Sequence, residues 1–498
     1  MRTNRAGGHE MIRDLKPYPA YKDSGVPWLG EVPEHWGVLR LRNVAEMRVS
    51  SVDKHTEDDE QPVRLCNYVD VYKNDRIRDR MTFMHATASV DEIERFRLQI
   101  GDVLITKDSE AWNDIGVPAL VEESANDLVC GYHLALLRPF RDRLYGDYLL
   151  RALQSTAVSY QFHIEANGVT RYGLSHAAIK SIWLPLPSLP EQSTIVRFLD
   201  HIDRCIRRSI HAKQKLIKLL EEQKQAIIHQ AVTRGLDPNV RLKPSGVEWL
   251  GEVPEHWEIV ALRLRYNQCL GKMLDSKRIK GEHSVRYLRN QDVQWDWINT
   301  SDLPVMDIAP EEYERYTLKS GDLLVCEGGE VGRCAIWQGD SEVFGFQKAL
   351  HRLRPHSMIL DEPRFMYYLL IVASRSGAFA DGHESTIAHL TGDKLRKHRF
   401  PFPPKFEQSA IVHFLDGIVA TIDHATTATK REIYLLLEYR TRLIADIVTG
   451  KLDVRAAAAC LPDEAEEPEP LDDADILTEG DEPTEGADLE AVAGKVEA

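Results

Sequence analysis

The apolar positions of this chain follow two patterns, and the first is a series of short apolar runs between turn residues. Examples in the first half lie at residues 63–69, 102–105, 134–137 and 182–186. Short runs separated by Gly, Asn, Asp and Pro are typical of strands in a mixed sheet. Helical spacing interrupts them near 145–158 and 363–374. We predict one α+β domain of about 170 residues over 12–187 and another over 238–403.

The second pattern is a seam of apolar residues at alternating steps of three and four, as in a coiled coil. Its positions are Ile195, Leu199, Ile202, Ile206, Leu216, Leu220 and Ile227, then Ile411, Leu415, Ile418, Ile422, Leu436 and Leu443. No proline or glycine occurs between Pro190 and Gly235. We predict long helices within 188–237 and 404–455, and the stretch of about 43 residues from Pro190 to Thr233 would form a helix roughly 65 Å long.

Polar residues interrupt the seam at core-facing positions, namely Ser209, Lys213, Gln223, Thr429 and Glu432. Such residues weaken a coiled coil but fix its register and partner. Because the helices repeat each other, the simplest arrangement is one antiparallel two-helix coiled coil. It would relate the two domains by a pseudo-twofold axis. The alternative is that each helix folds back on its own domain.

The chain repeats itself in sequence as well as in pattern. Residues 24–36 return at 245–257, both containing Trp-Leu-Gly-Glu-Val-Pro-Glu-His-Trp, and 191–200 return at 407–416. The Pro- and Gly-interrupted segment is unsuited to a regular helix, and its tryptophans need a pocket. We interpret it as a structural latch at the start of each domain.

Charge is distributed unevenly along the 498 residues. The net charge is −16, yet residues 461–498 hold 15 acidic residues and one lysine, so the remainder is nearly neutral. A segment so acidic and so poor in aromatic residues cannot bury enough surface to fold. We predict that 456–498 and 1–11 are disordered. A solubilising role is the simpler interpretation of the tail; docking or covering a basic surface is the alternative.

Motifs for catalysis, metal binding and export are missing from the sequence. The seven cysteines form no CxxC pair, there is no phosphate loop, HExxH or GxSxG, and Glu-Gly-Gly-Glu-Val-Gly at 327–332 is not GxGxxG. No signal peptide or apolar stretch of membrane-spanning length occurs, which favours a cytoplasmic protein without membrane contact. We predict binding rather than catalysis, with no metal or cofactor.

Two domains, each followed by a helix that begins Pro-x-x-Glu-Gln-x-x-Ile, resemble the specificity subunits of Type I restriction-modification systems. The match rests on residues 184–195, 400–411 and Val-Thr-Gly-Lys-Leu at 448–452, and it covers about 12–455. Two features depart from the family pattern: Lys405-Phe406 replaces the usual Pro-Leu, and the acidic tail is extra.

The resemblance implies a division of labour among subunits. Each domain would recognise one half of a bipartite, gapped double-stranded DNA target, and the helices would set the gap. Two methyltransferase subunits with S-adenosylmethionine, and two restriction subunits with ATP and Mg²⁺, would dock on this chain. The chain itself would carry no catalytic residue.

Sequence readout requires Arg, Lys, Asn and Gln that reach base edges. Candidates in the first domain are Lys107, Trp112 and Asn113 after a predicted strand, and Arg171 and Tyr172 in a Gly-containing turn. Candidates in the second domain are Arg289, Asn290, Gln291, Arg333, Gln347 and Lys348, with His383 and Thr386 near the second copy of the Gly turn. Because 107–113 and 326–332 have no residue-level match, we predict two different half-sites.

Two other functions remain open at this point. A nuclease or methyltransferase with an unrecognised site would act in isolation. A scaffold whose twin domains bind protein would show no sequence-selective DNA binding.

Overall fold

The structure, a computed structural model, describes residues 15–274, 281–339, 342–379 and 389–462. It forms two compact units. Of the described residues, those within 15–215 and 429–462 belong to unit 1, and those within 216–428 belong to unit 2. The segments predicted as disordered lie outside the described residues, except for 456–462.

Eleven α-helices are found in the described ranges. They are α1 (Tyr68–Lys73), α2 (Val90–Phe96), α3 (Gly146–Gln154), α4 (Thr156–Glu165), α5 (His176–Ser181), α6 (Leu189–Arg234), α7 (Tyr313–Tyr316), α8 (Pro363–Arg375), α9 (Gly392–Lys397), α10 (Lys405–Val448) and α11 (Arg455–Ala459). Short 3₁₀ helices lie at Leu41–Asn43, Glu248–Leu250, Leu262–Leu264, Asn290–Asp292 and Pro310–Glu312.

Unit 1 contains two main sheets. Its strands are β1 (Tyr21–Asp23), β2 (Glu31–Pro33), β3 (Gly37–Arg40), β4 (Ala45–Val49), β5 (Gln61–Cys66), β6 (Arg76–Ile77), β7 (Met84–Ala88), β8 (Val103–Thr106), β9 (Asp108–Ser109), β10 (Pro118–Val121), β11 (Leu128–Cys130), β12 (Leu134–Pro139), β13 (Asn167–Gly168), β14 (Tyr172–Gly173) and β15 (Trp183–Leu186). One sheet has the order β4-β12-β8-β10-β6 and the other β11-β5-β7. Both mix parallel and antiparallel pairs.

Unit 2 repeats this plan with fewer strands. They are β16 (Leu242–Pro244), β17 (Glu252–Pro254), β18 (Glu258–Ala261), β19 (Tyr266–Leu270), β20 (Ser284–Leu288), β21 (Val293–Gln294), β22 (Trp297–Ile298), β23 (Val305–Asp307), β24 (Leu323–Cys326), β25 (Cys334–Ile336), β26 (Phe344–Phe346), β27 (Leu350–Pro355) and β28 (Arg399–Phe402). The sheets β19-β27-β24-β25 and β23-β20-β26 correspond to the two main sheets of unit 1. The prediction of two α+β domains is confirmed.

The two long helices pack against each other in antiparallel fashion within each unit. In unit 1, Arg440 of α10 pairs with Asp203 of α6, and Glu432 pairs with Lys213. In unit 2, Lys224 Nζ lies 2.8 Å from Asp423 Oδ1. As the residue number rises on one helix it falls on the other, so the predicted antiparallel pair is confirmed and the alternative of helices that fold back separately is not observed.

The seam follows the predicted positions at first and then drifts. Ile195, Leu199, Ile202 and Ile206 are buried, as are Ile411, Leu415, Ile422 and Leu443. Leu220, Ile227, Ile418 and Leu436 are half-buried. The core-facing predictions for Ser209, Leu216, Gln223 and Glu432 are wrong, because all four are exposed, Leu216 by 46%, and Ile210 is buried in place of Ser209. A straight α-helix advances 3.6 residues per turn and moves by about 20° per heptad relative to a 3.5-residue repeat.

The Glu-Gln motif and the latch hold each other in both units. Glu191, at the start of α6, accepts hydrogen bonds from Tyr18 Oη (2.9 Å) and His35 Nε2 (3.0 Å). Trp36 of the same latch is fully buried. In unit 2, Glu407 accepts from His256 Nε2 and from Trp257 Nε1 (2.6 Å). The repeated motif is therefore structural, as the latch interpretation requires.

The glutamine of this motif binds backbone groups instead. Gln192 Nε2 donates to the carbonyls of Arg143 and Pro187, and its Oε1 accepts from Tyr145 N. Gln408 makes the same bonds in unit 2. Each buried amide fastens the start of a long helix to a loop of its domain.

The chain after α10 stays packed for longer than predicted. Val454 and Leu461 are buried in the core of unit 1, and α11 lies between them. The predicted disordered tail begins at 456, whereas the structure includes residues up to 461 in the packed unit. Apolar Val454, Ala458 and Leu461 account for the difference, because the acidic composition starts only after them. Across the described ranges, no helix has the length and apolarity required to cross a membrane.

Candidate nucleic-acid interface

The two candidate segments of unit 1 meet in a small three-stranded sheet. Strand β14 pairs with β9 (Tyr172 opposite Ser109) and with β13 (Asn167 opposite Gly173). Tyr172 and Ser109, which are 63 residues apart in sequence, therefore lie on one surface. A Cβ on Gly168 would collide with the carbonyl oxygen of Arg171, so the tight turn that presents Arg171 requires glycine.

Lys107 is engaged within this surface. Its Nζ lies 2.6 Å from Asp108 Oδ2, which also accepts from His133 Nδ1 at 2.8 Å. Burial raises the pKa of Asp108, but the bonds from Lys107 and His133 outweigh it and hold the pKa below its usual value. Lys107 thus helps to position the loop, whereas Arg171 and Asn113 are exposed.

Aromatic side chains surround the same sheet. Trp112 is 49% exposed and packs edge-on against His163 of α4. Tyr68 and Tyr72 of α1 stack with ring centroids 5.5 Å apart, and Tyr72 Oη donates to Asp114 (2.7 Å). Burial raises the pKa of the Tyr68 hydroxyl, although a hydrogen bond with Ser109 lowers it.

Sequence reasoning missed four members of this surface, namely Tyr68, Tyr72, Tyr132 and His133. The spacing of Tyr68 and Tyr72 by one helical turn was a usable signal, because it places both rings on one face. Tyr132 and His133, whose ring centroids lie 3.8 Å apart, precede β12, and no local sequence pattern marked them as surface residues of the interface. The result is an aromatic and cationic surface of the type that contacts bases and phosphates.

The candidate segments of unit 2 also converge. Asn290 Nδ2 donates to Gly328 O (3.2 Å), and Arg333 Nη2 donates to Asn290 O (3.1 Å). Gln347 N donates to Leu288 O, two residues before Asn290. The three predicted clusters of this domain therefore lie together.

Individual side chains of unit 2 differ in their availability. Arg289 makes two 2.8 Å bonds to Asp292, so its guanidinium is occupied within the domain. Gln291 and Lys348 are exposed, and Gln347 is half-buried. His389, missed from the sequence, lies beside Gly328. His383 and Thr386 lie outside the described residues.

The two units present different side chains on the same backbone framework. In unit 1 the backbone bonds are Lys107 N to His133 O, Leu174 N to Lys107 O, Gly131 N to Cys66 O and Gly116 N to Thr106 O. In unit 2 they are Glu327 N to Ala349 O, Leu390 N to Glu327 O, Gln347 N to Leu288 O and Gly332 N to Cys326 O. By this correspondence Lys107 is replaced by Glu327, and Tyr132 by Lys348.

Paired α+β domains with equivalent but chemically different surfaces define a two-part recognition protein. The model of the family described as Type I restriction modification DNA specificity domain matches residues 33–220 and 270–434. The chain belongs to this family.

Relatives with related names match over most of the chain. The putative type I restriction enzyme MjaX specificity subunit of Methanocaldococcus jannaschii is 23% identical over 438 residues, which cover 86% of this chain and 96% of the relative. The EcoBI specificity subunit of Escherichia coli is 23% identical over 305 residues, covering 59% and 64%.

Two solved structures share the fold. A chain from a study of complex assembly and conformational transition of the type I R-M system has a TM-score of 0.65 at 17% identity, covering 84% of this chain and 98% of its own. The HsdS subunit of Thermoanaerobacter tengcongensis has a TM-score of 0.50 at 19% identity, covering 84% and 98%.

Proposed function

We propose that this chain is the specificity subunit of a Type I restriction-modification complex, in which each domain recognises one half of a bipartite, gapped DNA target. The subunit binds and assembles but does not catalyse. Membership of the specificity family and the names of its relatives support this role.

The observation that carries the proposal is the shared backbone framework with exchanged side chains. Position 132 is an exposed tyrosine in one unit, and its counterpart 348 is an exposed lysine. The two side chains favour different base contacts, since lysine donates to guanine whereas a tyrosine ring stacks on the face of a base. The two domains, which share one backbone framework, therefore recognise two different half-sites.

The chemistry belongs to partner subunits in this proposal. Two methyltransferase subunits supply S-adenosylmethionine, and two restriction subunits supply ATP and Mg²⁺. The chain brings them to DNA at a defined sequence, which accords with family membership.

The experiment maps N6-methyladenine across the genome of cells that carry this chain and its methyltransferase partner, with and without the chain. Loss of a single bipartite motif is expected when the chain is removed. An unchanged methylome beside an active methyltransferase would contradict the proposal and favour a protein-binding scaffold. Methylation or cleavage of DNA by the purified chain alone would favour an enzyme.

Domain-specific variants sharpen this test. Arg171→Ala should relax only the half-site read by unit 1, and Lys348→Ala should affect only the half-site contacted by unit 2. Lys54→Ala, an exposed lysine elsewhere in unit 1, is the matched control and should leave the motif unchanged. A variant that degrades both half-sites equally would argue against independent reading by two domains.

A further inference from the structure

The turn from β5 into α1 and the turn from β20 into the following 3₁₀ helix are closed by the same bond. In unit 1, Asn67 N donates to Asp70 Oδ2 at 2.7 Å. In unit 2, Arg289 N donates to Asp292 Oδ2 at 2.7 Å. Each bond joins the residue before the helix to the third helical residue. The two residues between these partners therefore occupy equivalent positions in the two units.

Val69 and Gln291 are the second helical residues of these turns, and both are exposed. Val69 is 54% exposed, although valine is a poor helix former and gains little from burial at such a place. Gln291 presents an amide at the equivalent position. Packing of the fold requires neither side chain, so the identity of each is free to serve recognition.

The turn of unit 1 is bonded to both loops of the candidate interface. Cys66 O, at the end of β5, accepts from Gly131 N (2.8 Å) in the loop after β11. Tyr68, the residue before Val69, is hydrogen-bonded to Ser109 of β9. Val69 therefore belongs to the candidate interface, although it is neither cationic nor aromatic.

The turn of unit 2 has the same two attachments. Leu288 O, at the end of β20, accepts from Gln347 N (3.0 Å) in the loop after β26. Asn290, the residue before Gln291, donates from Nδ2 to Gly328 O (3.2 Å) in the loop after β24. Gln291 thus matches Val69 by its neighbours as well as by its position in the turn.

The exchange of valine for glutamine indicates which kind of ligand contacts this position. Two copies of one partner protein would require equivalent side chains on the two units, because identical partners present identical surfaces. Two different half-sites require the opposite, since side chains at base edges carry the sequence information. The position therefore fits the DNA-reading set better than a docking surface shared by both units.

We propose that Val69 and Gln291 are equivalent specificity-determining residues, of which Val69 reads thymine and Gln291 reads adenine. Val69 packs on the thymine 5-methyl group, as apolar side chains do in the major groove. The Gln291 amide donates to adenine N7 and accepts from the adenine N6 amino group. This inference rests on the proposed function and names the base that each unit contacts at one position.

The test for Val69 is a double-mutant cycle between one side chain and one methyl group. The full-length chain, assembled with its methyltransferase partner, binds its target duplex in fluorescence anisotropy. Each thymine is replaced in turn by deoxyuridine, which lacks only the 5-methyl group. Wild type should lose about four- to fifteenfold in affinity at one thymine of one half-site, as expected for one or two buried methyl-sized contacts. Val69→Ala should bind the two duplexes within about twofold of each other.

Val90→Ala is the matched control for this cycle. Val90 is 55% exposed at the start of α2, beyond the end of β7 that pairs with the start of β5. It should keep the full deoxyuridine penalty. Because the cycle compares two duplexes on one protein, a change in folding stability alone cannot remove the penalty.

The test for Gln291 uses 7-deazaadenine, which lacks the N7 acceptor. Wild type should lose about two- to tenfold in affinity when one adenine of the other half-site is replaced, the effect of one missing hydrogen bond. Gln291→Ala should show no further loss at that adenine. Gln338→Ala, an exposed glutamine at the opposite end of β25 from Arg333, is the control and should keep the penalty.

Two results would overturn the assignment while the proposed function stands. One is a target whose deoxyuridine penalties are all unchanged by Val69→Ala. The other is loss of the methyltransferase partner from the Val69→Ala complex with the penalties intact, which would make this a protein-binding position. Failure of the proposed function is distinguishable, because the wild-type complex would then show no sequence-selective binding to any duplex.

Discussion

Replacing Arg440 with methionine should destabilise unit 1, because Arg440 completes a buried cluster of charges. Arg440 donates to Asp203 and lies 3.1 Å from Asp75, while Arg207 (3.0 Å) and Arg151 (3.4 Å) also contact Asp203. Methionine keeps much of the apolar stem and removes the guanidinium. Asp203, only 8% exposed, would then lose one of its three cations.

The expected cost follows from the partners that remain. Breaking an isolated buried ion pair costs about 3–5 kcal/mol. Asp203 keeps Arg151 and Arg207, so about 2–3 kcal/mol is the better estimate. For a unit of this size that corresponds to a fall in Tm of roughly 4–12 °C. Lys224→Met removes the more exposed pair with Asp423 in unit 2 and should cost less than about 1 kcal/mol.

The pH dependence provides a second readout. Burial raises the pKa of Asp203, but Arg440, Arg151 and Arg207 lower it by more, so its folded-state pKa lies well below the usual value. A lowered folded-state pKa contributes stability that is full above the unfolded pKa of about 3.9 and is lost as the pH falls through the folded-state pKa. The difference between wild type and Arg440→Met should therefore be full at pH 7 and disappear only in strong acid, well below about pH 4.

Differential scanning calorimetry of both variants at pH 7 and pH 3.5 measures these quantities. A Tm for Arg440→Met within about 1 °C of wild type at pH 7, or a difference that has already vanished at pH 3.5, would refute the reasoning that the cluster is a net source of stability.

Three further predictions concern the latch, the helix end and the candidate interface. Gly450→Ala should cost about 2–4 kcal/mol in urea unfolding, because Gly450 has φ +77° and a Cβ there would clash with Pro33; Gly25→Ala, with φ +71° and open space, should cost only about 1 kcal/mol. Glu191→Gln should lose about 1–3 kcal/mol of unfolding free energy in the same assay, whereas exposed Glu34→Gln should be neutral. Arg171→Ala should weaken binding to the target duplex about 5- to 150-fold in fluorescence anisotropy, with a much smaller effect on a scrambled duplex.

Much of the architecture could be predicted because local sequence patterns specify it. The helices follow from long stretches free of proline, and the two domains follow from the repeat. A strict heptad repeat does not predict the drift of the seam. Ile210 takes the buried position expected for Ser209, because a nearly straight helix rotates relative to the heptad repeat. The packed segment around α11 was missed because composition is averaged over the whole tail.

The candidate interface was only partly predictable for a different reason. Lys107 and Arg171 were chosen as loop residues, but their meeting depends on the pairing of β9 with β14, which no local pattern specifies. Arg289 was chosen by residue type, although Asp292 three residues later is a signal for an internal pair at a helix start. Tyr132 and His133 could not be found from the sequence, because only the folded structure brings them to this surface.

Unit 1 is assembled from two distant parts of the chain, and this has a consequence for how the protein is made. Gly450, which follows α10, lies against Pro33 of the latch, and Leu443, Ile447 and Val454 belong to the core of unit 1. Residues 15–215 therefore lack these partners until 429–461 have been synthesised. Unit 2 is one uninterrupted segment and can complete its core before translation of the chain has finished. Folding during translation should therefore finish in the reverse of the usual order, with the first-made domain closing last. A ribosome that stalls shortly after residue 428 would release a chain whose second domain is folded and whose first domain still exposes its apolar core to chaperones and proteases.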